Sequence, residues 1–65
     1  MQINLNGKNM ESNCRTLMDL VIEQQLDTMS LVAELNFKII KQAEWNDTLI
    51  KEGDTIELLS FVGGG

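Results

Sequence analysis

Met1, Ile3 and Leu5 alternate with Gln2, Asn4 and Asn6, the two-residue period of a half-buried strand. Asn6-Gly7 follows, a pair that accepts positive φ and closes tight hairpins. Lys8 to Ser12 reads as the returning strand, with Met10 its clear core position. The period then changes. Thr16 is placed to cap a helix, its hydroxyl reaching an N–H near Asp19, whose charge suits the positive end of the helix dipole. Leu17, Met18, Leu20, Val21 and Ile22 give a broad apolar arc that Glu23, Gln24 and Gln25 close. Such an arc suits a helix laid across a sheet rather than a narrow coiled-coil seam. Leu31 to Leu35 predicts another strand and Phe37 to Ile40 its partner, with a tight turn at Asn36, a residue that tolerates the left-handed region. Gln42 to Thr48 lacks a sustained period and predicts a short helical turn carrying Trp45, read as packing over one end of the core. Glu52-Gly53-Asp54 is a turn signal before the final strand, Thr55 to Val62. There Ile56, Leu58, Ser60 and Val62 share one face; Thr55, Glu57, Leu59 and Phe61 share the other.

A hairpin, a crossing helix, a strand pair, a helical turn and a last strand predict an α+β domain. Its mixed sheet carries one main helix on one face. This is the element order of a β-grasp, or ubiquitin-like, fold. The last strand then lies inside the sheet beside the first. The division expected is one domain over 1–62 and a flexible glycine tail over 63–65.

Composition narrows the chemistry. A 65-residue chain buries about 60% of its unfolded surface, too little for an enclosed active site with a supporting shell. With 43% hydrophobic residues it is globular. It has no His, Pro or Tyr and one Cys, so the usual neutral-pH base is missing, and neither a disulfide nor a zinc site can be built. No metal ligands or catalytic residues are assigned. The net charge of −5 argues against nucleic acid and favours a partner with a basic docking surface. No apolar run approaches the ~20 residues of a membrane span, and nothing resembles a signal peptide. A free thiol without an export signal points to the cytoplasm.

The ending offers chemistry that the rest does not. Phe61-Val62-Gly63-Gly64-Gly65 takes an apolar strand straight into three glycines. Without Cβ atoms, Gly63 and Gly64 can lie extended in a narrow slot and deliver the carboxylate of Gly65 to a reagent on another protein. Leu59 and Phe61, on the face turned from the helix, form a candidate docking patch beside this tail; burial by a curling sheet is the competing expectation. Cys14 reads as an incidental thiol, though Arg15 beside it would lower its pKa. Glu23/Asp27 and Glu52/Asp54 read as solvated surface and turn residues.

Taken together, these features resemble the small ubiquitin-like sulfur carriers, most closely the ThiS family. The resemblance rests on Met1-Gln2-Ile3-Asn4-Leu5-Asn6-Gly7, on Asn36 after Val32-Ala33-Glu34-Leu35, on the Trp45 segment, on Glu52-Gly53-Asp54-Thr55-Ile56-Glu57-Leu58 and on Phe61-Val62-Gly63-Gly64-Gly65. It spans essentially the whole chain. The related MoaD carriers are usually longer and have prolines before their Gly-Gly. One departure from ThiS-like patterns is Lys41-Gln42, where many relatives have a proline. The resemblance implies a carrier, not an enzyme, that binds no cofactor. A ThiF-like adenylyltransferase would use ATP and Mg²⁺ to adenylate Gly65. A cysteine desulfurase or other persulfide donor would supply sulfur, and the resulting thiocarboxylate would serve thiazole synthase in thiamine synthesis. A molybdopterin-type carrier, a ubiquitin-like modifier and a non-catalytic β-grasp interaction module are the alternatives.

Overall fold

The computed structural model describes residues 1–61, which build a five-stranded sheet with one helix across it. The strands are β1 (Gln2–Leu5), β2 (Lys8–Glu11), β3 (Leu31–Leu35), β4 (Lys38–Ile40) and β5 (Thr55–Ser60), in the order β2-β1-β5-β3-β4. β5 is therefore central. It runs parallel to β1 and antiparallel to β3, with the two hairpins forming the wings.

The helix α1 (Leu17–Glu23) starts where its cap dictates. The Asp19 N–H donates to the Thr16 hydroxyl at 3.1 Å and the Thr16 N–H donates to the Asp19 carboxylate at 3.2 Å. Both donors would otherwise be unpaired at the helix start. Leu17, Leu20 and Val21 are fully buried against Ile3, Leu31, Ala33, Ile56 and Leu58. Every one of those strand residues comes from the same face of the sheet, which fits the two-residue alternation. Trp45 seals one end of this core from the 3₁₀ turn Gln42–Asp47, buried to 1% exposure. Its indole N–H donates to the Ile40 carbonyl at 2.8 Å, so the ring's one polar atom is satisfied. Lys41, which precedes that turn, has φ −66. That is an angle a proline ring would also impose, so the lysine here follows a backbone path compatible with proline.

Three details differ from the pattern reading. Phe37 is not a strand residue: it sits in the β3–β4 turn with φ 71, after Asn36 at φ 51. The two-residue turn takes both of its residues left-handed, as a type I′ turn between twisted strands does, and this overrides the aromatic's strand preference. A further 3₁₀ turn, Thr28–Ser30, leads into β3; the Asp27 carboxylate caps it by accepting from the Met29 N–H at 2.9 Å. The last strand ends at Ser60, and Val62, read as its final member, lies outside the described residues.

Candidate functional site

Two asparagines fix the strand from which the tail leaves. Asn6, at φ 51 in the β1–β2 turn, accepts at Oδ1 from the Leu58 N–H at 2.8 Å and donates its backbone N–H to the Ile56 carbonyl at 2.9 Å. The parallel β1–β5 pairing covers only Asn4↔Thr55 and Leu5↔Ile56, so this side chain carries the ladder onward along β5. Asn36 does the same at the strand's start. Its Oδ1 accepts from the Thr55 N–H at 2.9 Å and its Nδ2 donates to Asp54 at 3.0 Å. The two hairpin turns thus grip β5 from opposite sides, Asn36 at Thr55 and Asn6 at Ile56 and Leu58. The left-handed backbone that Asn tolerates aims each side chain at that strand.

The far end of β5 is the exit. Ser60 stands opposite Leu31, and the Phe61 N–H donates to the Ser30 carbonyl at 2.7 Å. Gly63, Gly64 and Gly65, the predicted delivery arm and reactive terminus, lie outside the described residues. Leu59 and Phe61 stay open to solvent at 45% and 58% exposure, so the sheet does not curl to bury them. Leu59 shares the outer face with Val32, its direct cross-strand partner. Met29, capped into an exposed position beside Ser30, adds an apolar side chain at the same corner. Sequence reasoning missed it because the signal, Asp27 capping a three-residue turn, is too short for any periodicity.

The other candidates fall away from the exit. Cys14 lines an open groove with Ser12, Asn13, Arg15, Leu49 and Lys51. Because Met1 also lines it and β1 runs parallel to β5, the groove lies at the opposite end of the sheet. Burial pushes the Cys14 thiol above its ordinary pKa; the expected lowering by Arg15 is not found. The cause is desolvation of a thiolate, which disfavours the reactive form. Glu52 accepts from the Gln2 N–H at 3.0 Å and Asp54 from the Lys51 N–H at 2.8 Å, which makes this acidic pair a turn device. Among the described residues no cluster of three or more His, Cys, Asp or Glu is placed to hold a metal, and no helix is long and apolar enough to cross a membrane.

A mixed five-stranded sheet wrapped on one helix, with the last strand clamped at its centre beside the first, defines a β-grasp, or ubiquitin-like, fold. The ThiS family model matches residues 2–65. The chain is 32% identical over 65 residues to the sulfur carrier protein ThiS of Bacillus subtilis (strain 168), covering 97% of this chain and 98% of that protein. Its fold matches the crystal structure of the thiamine biosynthesis protein ThiS from Geobacter metallireducens with a TM-score of 0.84 at 26% identity, over 100% of both chains. The solution structure of a thiamine biosynthesis protein from the same organism gives 0.81 at 26% identity, over 100% of this chain and 88% of the other. The chain belongs to the ThiS family.

Proposed function

We propose that this sulfur carrier of thiamine biosynthesis holds its sulfur as a thiocarboxylate on Gly65. The chain acts as a carried substrate, not an enzyme, and others perform the chemistry. A carboxylate is a poor electrophile, so a ThiF-like adenylyltransferase spends ATP, with Mg²⁺, to join it to AMP and release pyrophosphate. A persulfide sulfur from a desulfurase-type donor attacks the acyl carbon and AMP leaves. Reduction of the acyl disulfide by a thiol then leaves the thiocarboxylate, which passes its sulfur to thiazole synthase. Gly63 and Gly64 form the slim arm that enters each partner's site, and Leu59 and Phe61 form the handle outside it. ATP, a persulfide donor and a free thiol all suit a cytoplasmic setting.

The observation that carries this reading is the family match, which runs through Gly65. Support comes from the exit geometry, in which a strand gripped on both sides ends beside exposed Leu59 and Phe61. Incubation with ATP, Mg²⁺, a sulfur source and the matched adenylyltransferase, read by intact mass, tests it. The expected product gains the mass of one sulfur-for-oxygen exchange, localised to Gly65. Appearance of the chain on the lysines of other proteins would make it a modifier instead, and an unchanged mass would leave only an adaptor.

A further inference from the structure

The groove at the end of the sheet away from the exit has a composition unlike the rest of the surface. Buried Cys14 and Ile50 form its floor, and half-buried Met1 and the 60% exposed Leu49 form its walls. Arg15 and Lys51 line it as well, both open to solvent. The chain has ten acidic residues and five basic ones, yet two of the basic residues line this groove and none of the acidic ones does. Neither cation is matched within the fold. Among the described residues the single ion pair joins the Met1 ammonium to Glu11. Glu52 and Asp54, close to Lys51 in sequence, accept from the Gln2 and Lys51 N–H groups of the turn. Backbone is on offer too. Leu49 and Thr16 form a lone antiparallel bridge, closed by the Ile50 N–H on the Arg15 carbonyl and the Leu17 N–H on the Thr48 carbonyl, each at 2.9 Å. Those bonds belong to the residues flanking Leu49, so its own N–H and C=O face away from the bridge. They have no backbone partner among the described residues.

We propose that this groove binds an extended acidic segment of a partner protein, with one apolar side chain seated over Cys14 and Ile50 and carboxylates on Arg15 and Lys51. The unmatched cations on an otherwise acidic surface select the charge of the occupant. The apolar floor selects its anchor. The open backbone edge at Leu49 selects an extended chain, which can add its own N–H and C=O groups there. The groove offers about 460 Å³, but it stands open to solvent and does not enclose a ligand as small-molecule pockets do. In an extended chain every second side chain points the same way. An acidic residue two positions before and two after the apolar one therefore reaches the groove with it. A partner seated here leaves the exit uncovered, so the carrier can be held at one end while its terminus reacts at the other. The proposal goes beyond the sulfur-carrier reading and stands without it.

Amide NMR of the isotope-labelled carrier, titrated with the peptide Glu-Ser-Leu-Ser-Glu blocked at both ends, tests it. Saturable shifts are expected in residues 12–15 and 49–51, with a midpoint below about 1 mM that rises with salt. Arg15→Gln combined with Lys51→Gln is expected to raise the midpoint about tenfold, whereas Lys38→Gln, which removes a cation from β4, leaves it unchanged. Both variants should keep the parent Tm. Replacing the peptide's leucine by serine is also expected to weaken binding about tenfold. The reversed peptide Lys-Ser-Leu-Ser-Lys should not bind. These two peptide comparisons need no altered carrier, so they hold even where a variant unfolds. Shifts centred elsewhere on the sheet, equal binding of the reversed peptide, or displacement by an equal concentration of inorganic phosphate would each overturn the proposal. Groove shifts that appear when the carrier alone is concentrated would also overturn it, by making the occupant a second copy of this chain.

Discussion

Phe37 and Gly7 occupy the same position in two similar turns. Asn6-Gly7 has φ 51 and 84, and Asn36-Phe37 has φ 51 and 71. Glycine accepts this region freely, whereas a side chain with Cβ is strained there by about 1–2 kcal/mol. Nothing offsets that strain by burial, because Phe37 is 80% exposed. Phe37→Gly is therefore expected to stabilise the fold by about 0.5–1 kcal/mol once glycine's greater unfolded freedom is deducted. For a domain of this size that raises Tm by several degrees, measurable by circular dichroism. An unchanged or lowered Tm would mean that the aromatic makes contacts worth the strain. The position also shows where pattern reading stops. Asn36 announces the turn by its own chemistry, but Phe37 looks like a strand residue, and it is left-handed because the two-residue connection is closed as a type I′ turn. Cys14 is a second such case. Its neighbour Arg15 suggests a lowered thiol pKa in the sequence, yet burial decides the direction, and burial is a property of the folded chain.

At the scale of elements, the strands and the helix were legible because each buries one face, and one-sided burial writes a period into the chain. The helix start was legible to the residue, since Thr16 and Asp19 form the reciprocal pair that caps require. The short turn Thr28–Ser30 has no period to read. Nor does the alternation of Ile56 and Leu58 say which strands flank β5; that order comes from the connections. The link between the two levels is Asn6, visible as a turn residue but invisible as a clamp. Its Oδ1 takes the Leu58 N–H at 2.8 Å, so Asn6→Ala leaves that donor unpaired at a partly buried site. A loss of about 1–2 kcal/mol is expected, with faster hydrogen exchange at Leu58 than at strand positions away from the clamp. Asn6→Asp keeps the acceptor and the tolerance for positive φ, and is expected to retain most of the protection. Equal loss from both variants would assign the effect to the turn and not to the clamp.

The whole molecule has a covered face, an open face and one exit, and these divide its work. α1 covers one side of the sheet with Leu17, Leu20 and Val21, while Leu59 and Phe61 remain on the other beside the exit. Leu59→Asp places a charge where solvent already reaches, so melting is expected to stay within about 0.5 kcal/mol of the parent. Adenylyltransferase binding should fall at least tenfold, as for an apolar anchor lost from an interface; unfolding in place of lost binding would return Leu59 to the core. The tail calls for the complementary substitution. The last described ladder bond joins Phe61 to Ser30, and Gly64 lies three residues beyond it in sequence. Gly64→Ala adds one methyl, so it is expected to leave Tm and carrier–enzyme Kd unchanged. If the carboxylate reaches ATP through a slot shaped for glycine, that methyl obstructs the approach even though docking is intact. A misplacement of about 1 Å at a reacting group costs on the order of a hundredfold in rate. ATP–pyrophosphate exchange driven by the variant should therefore fall by at least tenfold while its binding isotherm overlays the parent's. Exchange at the parental rate would show that the arm needs length and not slimness, and would move the selection for glycine to a later partner, testable by sulfur delivery from the thiocarboxylate form of the same variant.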